Sequence, residues 1–268
     1  MGRFIAALDQ SGGSTPKTLD RYGIDYTESN MMDKIHDMRT RMLDSPAFND
    51  SNISGAILFK DSVTRGMVNK LDEMGIDSYL KIDNGLCRDG TMKQFPVKQT
   101  MEWATNGWGK PITGTKMRSV VKRVDLVELV LKQQFSIART VSEYGLVPII
   151  EPEVEIDNEN KEAIEQELYD QLEFMLHQGQ DWPCILKLTP PEVPNLYHNL
   201  TVNHNVEKIV FLSGGYELNE ACNKLGLNDS VSASFSRALT EGLKYSLTND
   251  EFNGIMEHNI NMIAEASE

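Results

Sequence analysis

Gly145-Leu146-Val147-Pro148-Ile149-Ile150-Glu151-Pro152-Glu153 opens on a glycine, runs apolar and closes on two carboxylates. Side chains two apart share a face of an extended strand, so Glu151 and Glu153 point the same way. Upstream, Leu126, Leu129, Val130, Gln133, Ile137 and Val141 approximate a 3.6-residue stripe, which predicts a helix over Leu126 to Tyr144 covering a sheet. Gly145 stands where that helix must stop, and Gly75 holds the same place before an earlier strand; both can take the positive φ of a left-handed cap. Downstream, Lys161 to Gln178 reads as a helix and Cys184 to Thr189 as the next strand. Strands separated by helical segments are the mark of a parallel sheet with crossover helices.

The alternation continues in both directions. Strands are predicted over Phe4 to Asp9, Ser54 to Phe59, Ser78 to Asp83, Ile112 to Arg118, Leu146 to Glu153, Cys184 to Thr189, Lys208 to Ser213 and Val231 to Phe235. The fourth is the weakest, because Thr113-Gly114-Thr115 is little more apolar than a loop. Further helices are predicted over Asn30 to Leu43, Thr64 to Met74, Asn219 to Leu225 and Asp250 to Glu268, the last with Phe252, Ile255, Met256 and Ile260 on one side. Gly107-Trp108-Gly109-Lys110 leaves room only for an abbreviated helix before the fourth strand. Eight such strands in 268 residues predict an α/β fold, a TIM (β/α)8 barrel, as one domain over 1–268. No linker, repeat or change of composition divides the chain.

A formal net charge of −14 excludes a general nucleic-acid or membrane-surface role, since either polyanion would be repelled. An anionic substrate must therefore meet a local basic pocket. Cys87, Cys184 and Cys222 are odd in number and form no CxxC pattern, which predicts reduced thiols in a cytoplasmic protein, with Cys184 packed in a strand. The opening Met1 to Leu8, cut short by Asp9, reads as a strand and not a signal peptide, and Ala6 breaks the myristoylation pattern. No apolar run approaches the roughly 18 residues of a membrane span. His36, His177, His198, His204 and His258 are scattered without HxH or HExxH spacing, so no metal is expected and surface positions are.

Nearly every predicted strand ends in a polar residue, on the side where such barrels place their chemistry. These are Asp9, Lys81 with Asp83, Lys116 with Arg118, Glu151 with Glu153, Lys187 within the sixth strand, Ser213 after the seventh and Arg237 after the eighth. Singly, each is a solvated charge or a rigid strand exit. Jointly, they put many charges into one cavity, which is costly without a functional return. Lys187 lies among Ile185, Leu186 and Leu188, so it must be paired, deprotonated or reactive. A structural lysine held by Glu151 and a nucleophilic amine are both open on this argument. Desolvation beside a second cation such as Lys116 would favour the neutral amine that attacks a ketone. Ser213-Gly214-Gly215 and Ser234-Phe235-Ser236-Arg237 stand where barrels hold phosphate on backbone N–H groups, and the guanidinium fork suits phosphate oxygens. Asp9-Gln10-Ser11-Gly12-Gly13-Ser14 is either a plain turn or a second phosphate contact.

With Leu80-Lys81-Ile82-Asp83, Gly114-Thr115-Lys116-Met117-Arg118, Leu186-Lys187-Leu188-Thr189 and Ser236-Arg237-Ala238-Leu239 in the same order, the chain resembles class I fructose-1,6-bisphosphate aldolases of the compact bacterial type along nearly its whole length. The resemblance implies a lyase that reversibly cleaves fructose 1,6-bisphosphate to dihydroxyacetone phosphate and glyceraldehyde 3-phosphate in glycolysis and gluconeogenesis, without metal or other cofactor. It implies that Lys187 forms the Schiff base, that Glu151 is the main proton acceptor, and that Lys116, Asp9 and Glu153 assist. It places Ser213, Gly214, Gly215 and Arg237 at the phosphate beside the ketone, and Ser11, Lys81 and Arg118 at the distal one. Three features depart from the family pattern. Asn84 stands where many relatives carry lysine, the chain starts just before its first strand, and it ends at Ala266-Ser267-Glu268 without the terminal tyrosine of animal relatives. A phosphorylated sugar is the expected partner, a homo-oligomer is left open, and tagatose or sedoheptulose bisphosphate cleavage or a silent scaffold are the alternatives.

Overall fold

Alternate residues on the strands belong to two separate apolar clusters. Ile5, Ala7, Ile57, Tyr79, Ile149, Ile185 and Val210 pack with one another. Their chain neighbours Ala6, Leu8, Leu58, Leu80, Ile150 and Leu186 join a larger cluster that includes the helices. A sheet buried on both faces, curled around the smaller cluster, accounts for both sets.

The computed structural model describes residues 2–106 and 112–267. Its strands are β1 (Phe4–Leu8), β2 (Ile53–Leu58), β3 (Asp77–Lys81), β4 (Gly114–Val121), β5 (Val147–Val154), β6 (Cys184–Leu188), β7 (Val206–Phe211) and β8 (Ser232–Ala233). All pair in parallel and in sequential order. The Ala7 amide donates to the Phe235 carbonyl (3.1 Å), bringing the last strand back to the first in a nearly closed (β/α)8, or TIM, barrel. Helices α1 (Ser14–Tyr22) and α2 (Met31–Leu43) join β1 to β2; α3 (Lys60–Thr64) and α4 (Met67–Glu73) join β2 to β3. Next come α5 (Val97–Thr105), α6 (Val127–Glu143), α7 (Lys161–Leu176), α8 (Leu218–Leu225) and α9 (Asn249–Ala266), while a 3-10 turn, His198–Val202, stands between β6 and β7.

Several expectations need correction. The Thr64 to Met74 helix is two helices, interrupted at Arg65-Gly66, where Gly66 takes φ 83°. In α6 the buried residues are Val127, Val130, Leu131, Gln134, Ala138 and Val141, whereas Leu129 is 53% exposed, so the stripe read from the sequence is displaced from the packed face. The shift has a polar cause at Gln134, whose amide donates to the Glu151 carbonyl (3.1 Å) and ties α6 to the carboxylate end of β5. In α9, Phe252, Met256 and Ile260 are buried as expected, and Thr248 with Glu251 closes a capping box at its start. Strand β8 is only two residues long. Gly75 and Gly145 take positive φ, 70° and 74°. The expected abbreviated helix at Gly107 to Lys110 lies outside the described residues.

The strand that looked weakest, β4, is among the longest, extends past Arg118 and pairs with β5 over eight positions from Gly114↔Val147 to Val121↔Val154. Gly114 is glycine because the Val147 carbonyl and the Tyr79 ring leave no room for a side chain. A Cβ there would stand 2.1 Å from the Val147 carbonyl oxygen and 2.9 Å from Tyr79 Cδ1. Since backbone cannot yield cheaply, Gly114→Ala is expected to lower stability by about 1–3 kcal/mol or more. Urea unfolding checks this; an unchanged midpoint would contradict the packing described.

Candidate active site

The alternation that fills the barrel floor also builds its mouth. Continuing inward from Ala7, Tyr79, Ile149 and Ile185, the next residue on the same face is Asp9, Lys81, Glu151 and Lys187 in turn. Lys116 of β4 is register-paired with Lys81, and Lys187 and Glu151 each lie two residues beyond the paired Ile185 and Ile149. These side chains converge on a cavity of about 640 Å³. Every residue singled out for catalysis or phosphate binding, from Asp9 to Arg237, lines it.

Four charges form a chain at its base. Lys187 Nζ is 3.1 Å from Glu151 Oε1, Lys116 Nζ is 2.8 Å from Glu151 Oε2, and Lys116 Nζ is 2.7 Å from Asp9 Oδ2. Lys116, Glu151 and Lys187 are only 2%, 3% and 3% exposed. Burial pushes the Glu151 carboxyl up, but Lys116, Lys187 and Arg118 together hold it below the usual carboxylate range. Asp9 is held well below that range, burial again being outweighed by Lys116 and Lys187. Burial opposes the Lys116 charge, yet Asp9, Glu151 and Asp83 raise its ammonium well above the ordinary lysine value. In the unliganded site Lys116 is thus held as a cation and its two partners as anions.

A second tier lies nearer the rim. Arg118 Nε binds Glu153 Oε2 at 2.5 Å, and Lys81 is ion-paired with Asp83. Asp83 also accepts from the amides of Arg118 and Gly85, both at 3.2 Å. Ser213-Gly214-Gly215 makes a tight turn after β7, with the Gly215 amide 2.6 Å from the Ser213 carbonyl and φ values of 57° and 131° at the two glycines. A Cβ on Gly214 would lie 2.7 Å from Ile156 Cγ2, so the turn needs glycine for space as well as for φ. Arg237 Nη1 donates to the Gly215 carbonyl (3.2 Å), setting its guanidinium beside this turn.

The carboxylates Asp9, Asp83, Glu151 and Glu153 share the cavity with Lys17, Arg21, Lys81, Lys116, Arg118, Lys187 and Arg237. All four carboxylates are paired with Lys81, Lys116, Arg118 and Lys187. Lys17, Arg21 and Arg237 form no such pair among the described residues, which leaves the rim positive in a chain of net charge −14. Lys17 and Arg21 were not singled out in the sequence because α1 was not recognised as a helix. Its buried side is half threonine, Thr15 and Thr18 beside Leu19 and Tyr22, so its apolar stripe is too short to mark a helix. The available signal was polar: Ser14, Lys17, Thr18 and Arg21 follow helical spacing and all line the cavity.

None of the five histidines lines the cavity. His177, His204 and His258 are exposed, as expected, whereas His36 and His198 are half-buried. No group of three His, Cys, Asp or Glu among the described residues could hold a metal ion. All three cysteines are free, with Cys184 and Cys222 buried.

A buried amine beside a carboxylate, in the strand-end mouth of a (β/α)8 barrel with a positive rim, is an arrangement chemically able to attack the carbonyl of an anionic compound. The chain is 41% identical to "Fructose-bisphosphate aldolase class 1" of Clostridium acetobutylicum, over 98% of this chain and 95% of that protein. It is 43% identical to the protein of the same name from Synechocystis, over 98% of this chain and 93% of the other. The chain therefore belongs to the class 1 fructose-bisphosphate aldolase family and is a carbon–carbon lyase. The solved structure of fructose-bisphosphate aldolase from Plasmodium falciparum, in complex with TRAP and a small-molecule inhibitor, has the same fold: TM-score 0.79 at 20% identity, over 99% of this chain and 90% of that one. No protein-family model matches the chain.

The charge chain makes a stability prediction with a definite sign. Folded Asp9 and Glu151 titrate below their ordinary values, so their contribution is complete above the ordinary carboxylate range and is lost as pH falls through the folded values. Lys116→Met is expected to cost about 3–5 kcal/mol at neutral pH by stranding its partners. Urea unfolding at pH 7 and at pH 3 should show that deficit narrowing in acid; an equal deficit at both would contradict the assignment.

Proposed function

We propose that the cavity cleaves fructose 1,6-bisphosphate by a Schiff base on Lys187, with a single barrel domain supplying every catalytic group. The observation that carries this reading is the contact between the buried Lys187 amine and Glu151, with Lys116 on the other carboxylate oxygen. Glu151 can take a proton from the Lys187 ammonium, and the free amine then attacks C2 of the open-chain ketose. The C2 oxygen leaves as water, with protons supplied through Glu151 and Lys116, and a protonated imine remains. Asp9 or Glu151 removes the C4 hydroxyl proton, the C3–C4 electron pair becomes the C2=C3 bond of an enamine as the C=N pair moves to nitrogen, and glyceraldehyde 3-phosphate departs. Protonation of the enamine at C3 and hydrolysis release dihydroxyacetone phosphate and return the lysine. Glu153 holds Arg118 and supports the carboxylate network from the rim.

Ser213, Gly214, Gly215 and Arg237 take the phosphate next to the ketone. Ser11, Lys81 and Arg118 take the distal one, with the unpaired cations of α1 drawing both groups to the rim. Two phosphate dianions suit a mouth whose inner charges cancel and whose outer charges are positive. The free thiols fit a reducing compartment, the cytoplasm, and among the described residues no helix is long and apolar enough to cross a membrane.

Glu151→Gln is expected to lower kcat by about 10²–10⁴-fold, the usual worth of a positioned proton-transfer group. Arg237→Ala should instead raise KM by roughly 10- to 100-fold, as for loss of a hydrogen bond to a charged group. Steady-state cleavage assays on fructose 1,6-bisphosphate, its tagatose epimer and fructose 1-phosphate should rank the first highest. Failure of the wild-type protein to cleave any ketose bisphosphate would overturn the reading.

A further inference from the structure

Arg39 is 1% exposed, on the buried side of α2. A buried guanidinium ordinarily has a carboxylate partner. Arg39 has none among the described residues: its Nη1 donates to Ser62 Oγ (2.9 Å), and its remaining bonds all go to Gln10. Nη2 meets the Gln10 backbone carbonyl at 2.5 Å and its side-chain Oε1 at 3.2 Å, and Nε meets Oε1 at 3.3 Å. The other end of the Gln10 amide is held too, with Nε2 donating to Ser236 Oγ (3.0 Å) and to the Ala7 carbonyl (3.4 Å). Gln10 follows Asp9, Ser62 lies in α3 just beyond β2, and Ser236 precedes Arg237. One buried cation thereby clamps the exit of β1 against those of β2 and β8. Burial pushes the Arg39 guanidinium down, to about 10, while the Asp9 and Asp61 charges act in the opposite sense.

From this network we infer that Arg39 is a positioning residue for carbon–carbon cleavage: through its grip on both carbonyl oxygens of Gln10, it fixes the backbone that aims Asp9 at the C4 hydroxyl. The inference rests on the proton-acceptor role proposed for Asp9. An apolar residue of similar length could fill the same space, so packing alone does not call for a charge whose bonds converge on the neighbour of Asp9. Because in the proposed reaction Asp9 meets the substrate only when the C4 proton is removed, loss of the clamp should impair cleavage far more than Schiff-base formation.

The test uses Arg39→Met, Gln10→Leu, Gln10→Glu and the Arg39→Met/Gln10→Leu double variant. Two quantities are read: kcat for cleavage of fructose 1,6-bisphosphate, and borohydride-trapped adduct with dihydroxyacetone phosphate, which lacks a C4 hydroxyl. Arg39→Met and Gln10→Leu should each lower kcat by about 10-fold or more while the trapped adduct stays near the wild-type amount, and the double variant should be little worse than either single one. Gln10→Glu keeps an acceptor for Arg39 and for the Ser236 hydroxyl, and should remain within about threefold of wild type. A folded Arg39→Met variant with wild-type kcat, losses that multiply in the double variant, or trapping that falls in parallel with cleavage would each overturn the inference. Should Arg39→Met fail to fold, the contrast between Gln10→Leu and Gln10→Glu decides: equal activity in the two overturns it. A wild-type protein that neither traps nor cleaves would instead indict the proposed reaction.

Discussion

Everything at the barrel mouth depends on one buried ammonium, Lys116, held between Asp9 and Glu151. Taking an ion out of water costs several kcal/mol even after relaxation, so no member of this group could be buried alone. The answer here is cancellation: Lys116 and Lys187 against Asp9 and Glu151, linked in a row by contacts of 2.7–3.1 Å. The four groups come from the ends of β1, β4, β5 and β6, which hold them through rigid backbone. Register is then under electrostatic control as well as apolar control. A slip of one residue in β5 would send Glu151 to the helix side and leave two ammonium groups facing each other.

Charge is also graded along the barrel axis. The floor is apolar, closed around Tyr79, the middle is ionic but balanced, and the rim carries Lys17, Arg21 and Arg237, which have no carboxylate partner among the described residues. That order separates two tasks. In the proposed reaction the balanced charges would move protons without attracting a counter-ion, while the unbalanced ones would collect an anion from solution despite the strongly acidic character of the chain as a whole. The substrate brings its own negative charge to the only part of the mouth that still needs it.

Much of this was legible in the sequence, sometimes for reasons that the structure revises. Short apolar runs between helical segments marked eight strands within a few residues of their bounds, because apolar strands and polar exits are local properties. Lys187 attracted notice through Ile185, Leu186 and Leu188, but Leu186 and Leu188 face the helices, and only Ile185 shares the lumen with it. What marks Lys187 is Glu151 from another strand, a contact no local pattern contains. The polar wall of α1 escaped because its buried side mixes Thr15 and Thr18 with Leu19 and Tyr22, too short an apolar stripe to mark a helix. The packed face of α6 was misplaced because polar Gln134, which donates to the Glu151 carbonyl, lies on it and apolar Leu129 lies off it, although the buried residues keep helical spacing. Gly114 looked like loop because a carbonyl and a tyrosine of the neighbouring strands leave no room for a side chain.

The central claim is that the amine paired with Glu151, and not the one bridging Asp9 and Glu151, becomes covalently bonded to substrate. Peptide mass mapping after borohydride reduction in the presence of dihydroxyacetone phosphate and EDTA addresses it most directly. The account predicts one adduct per chain, on the peptide containing Lys187. An adduct on Lys116, or none from folded and active protein, would contradict it.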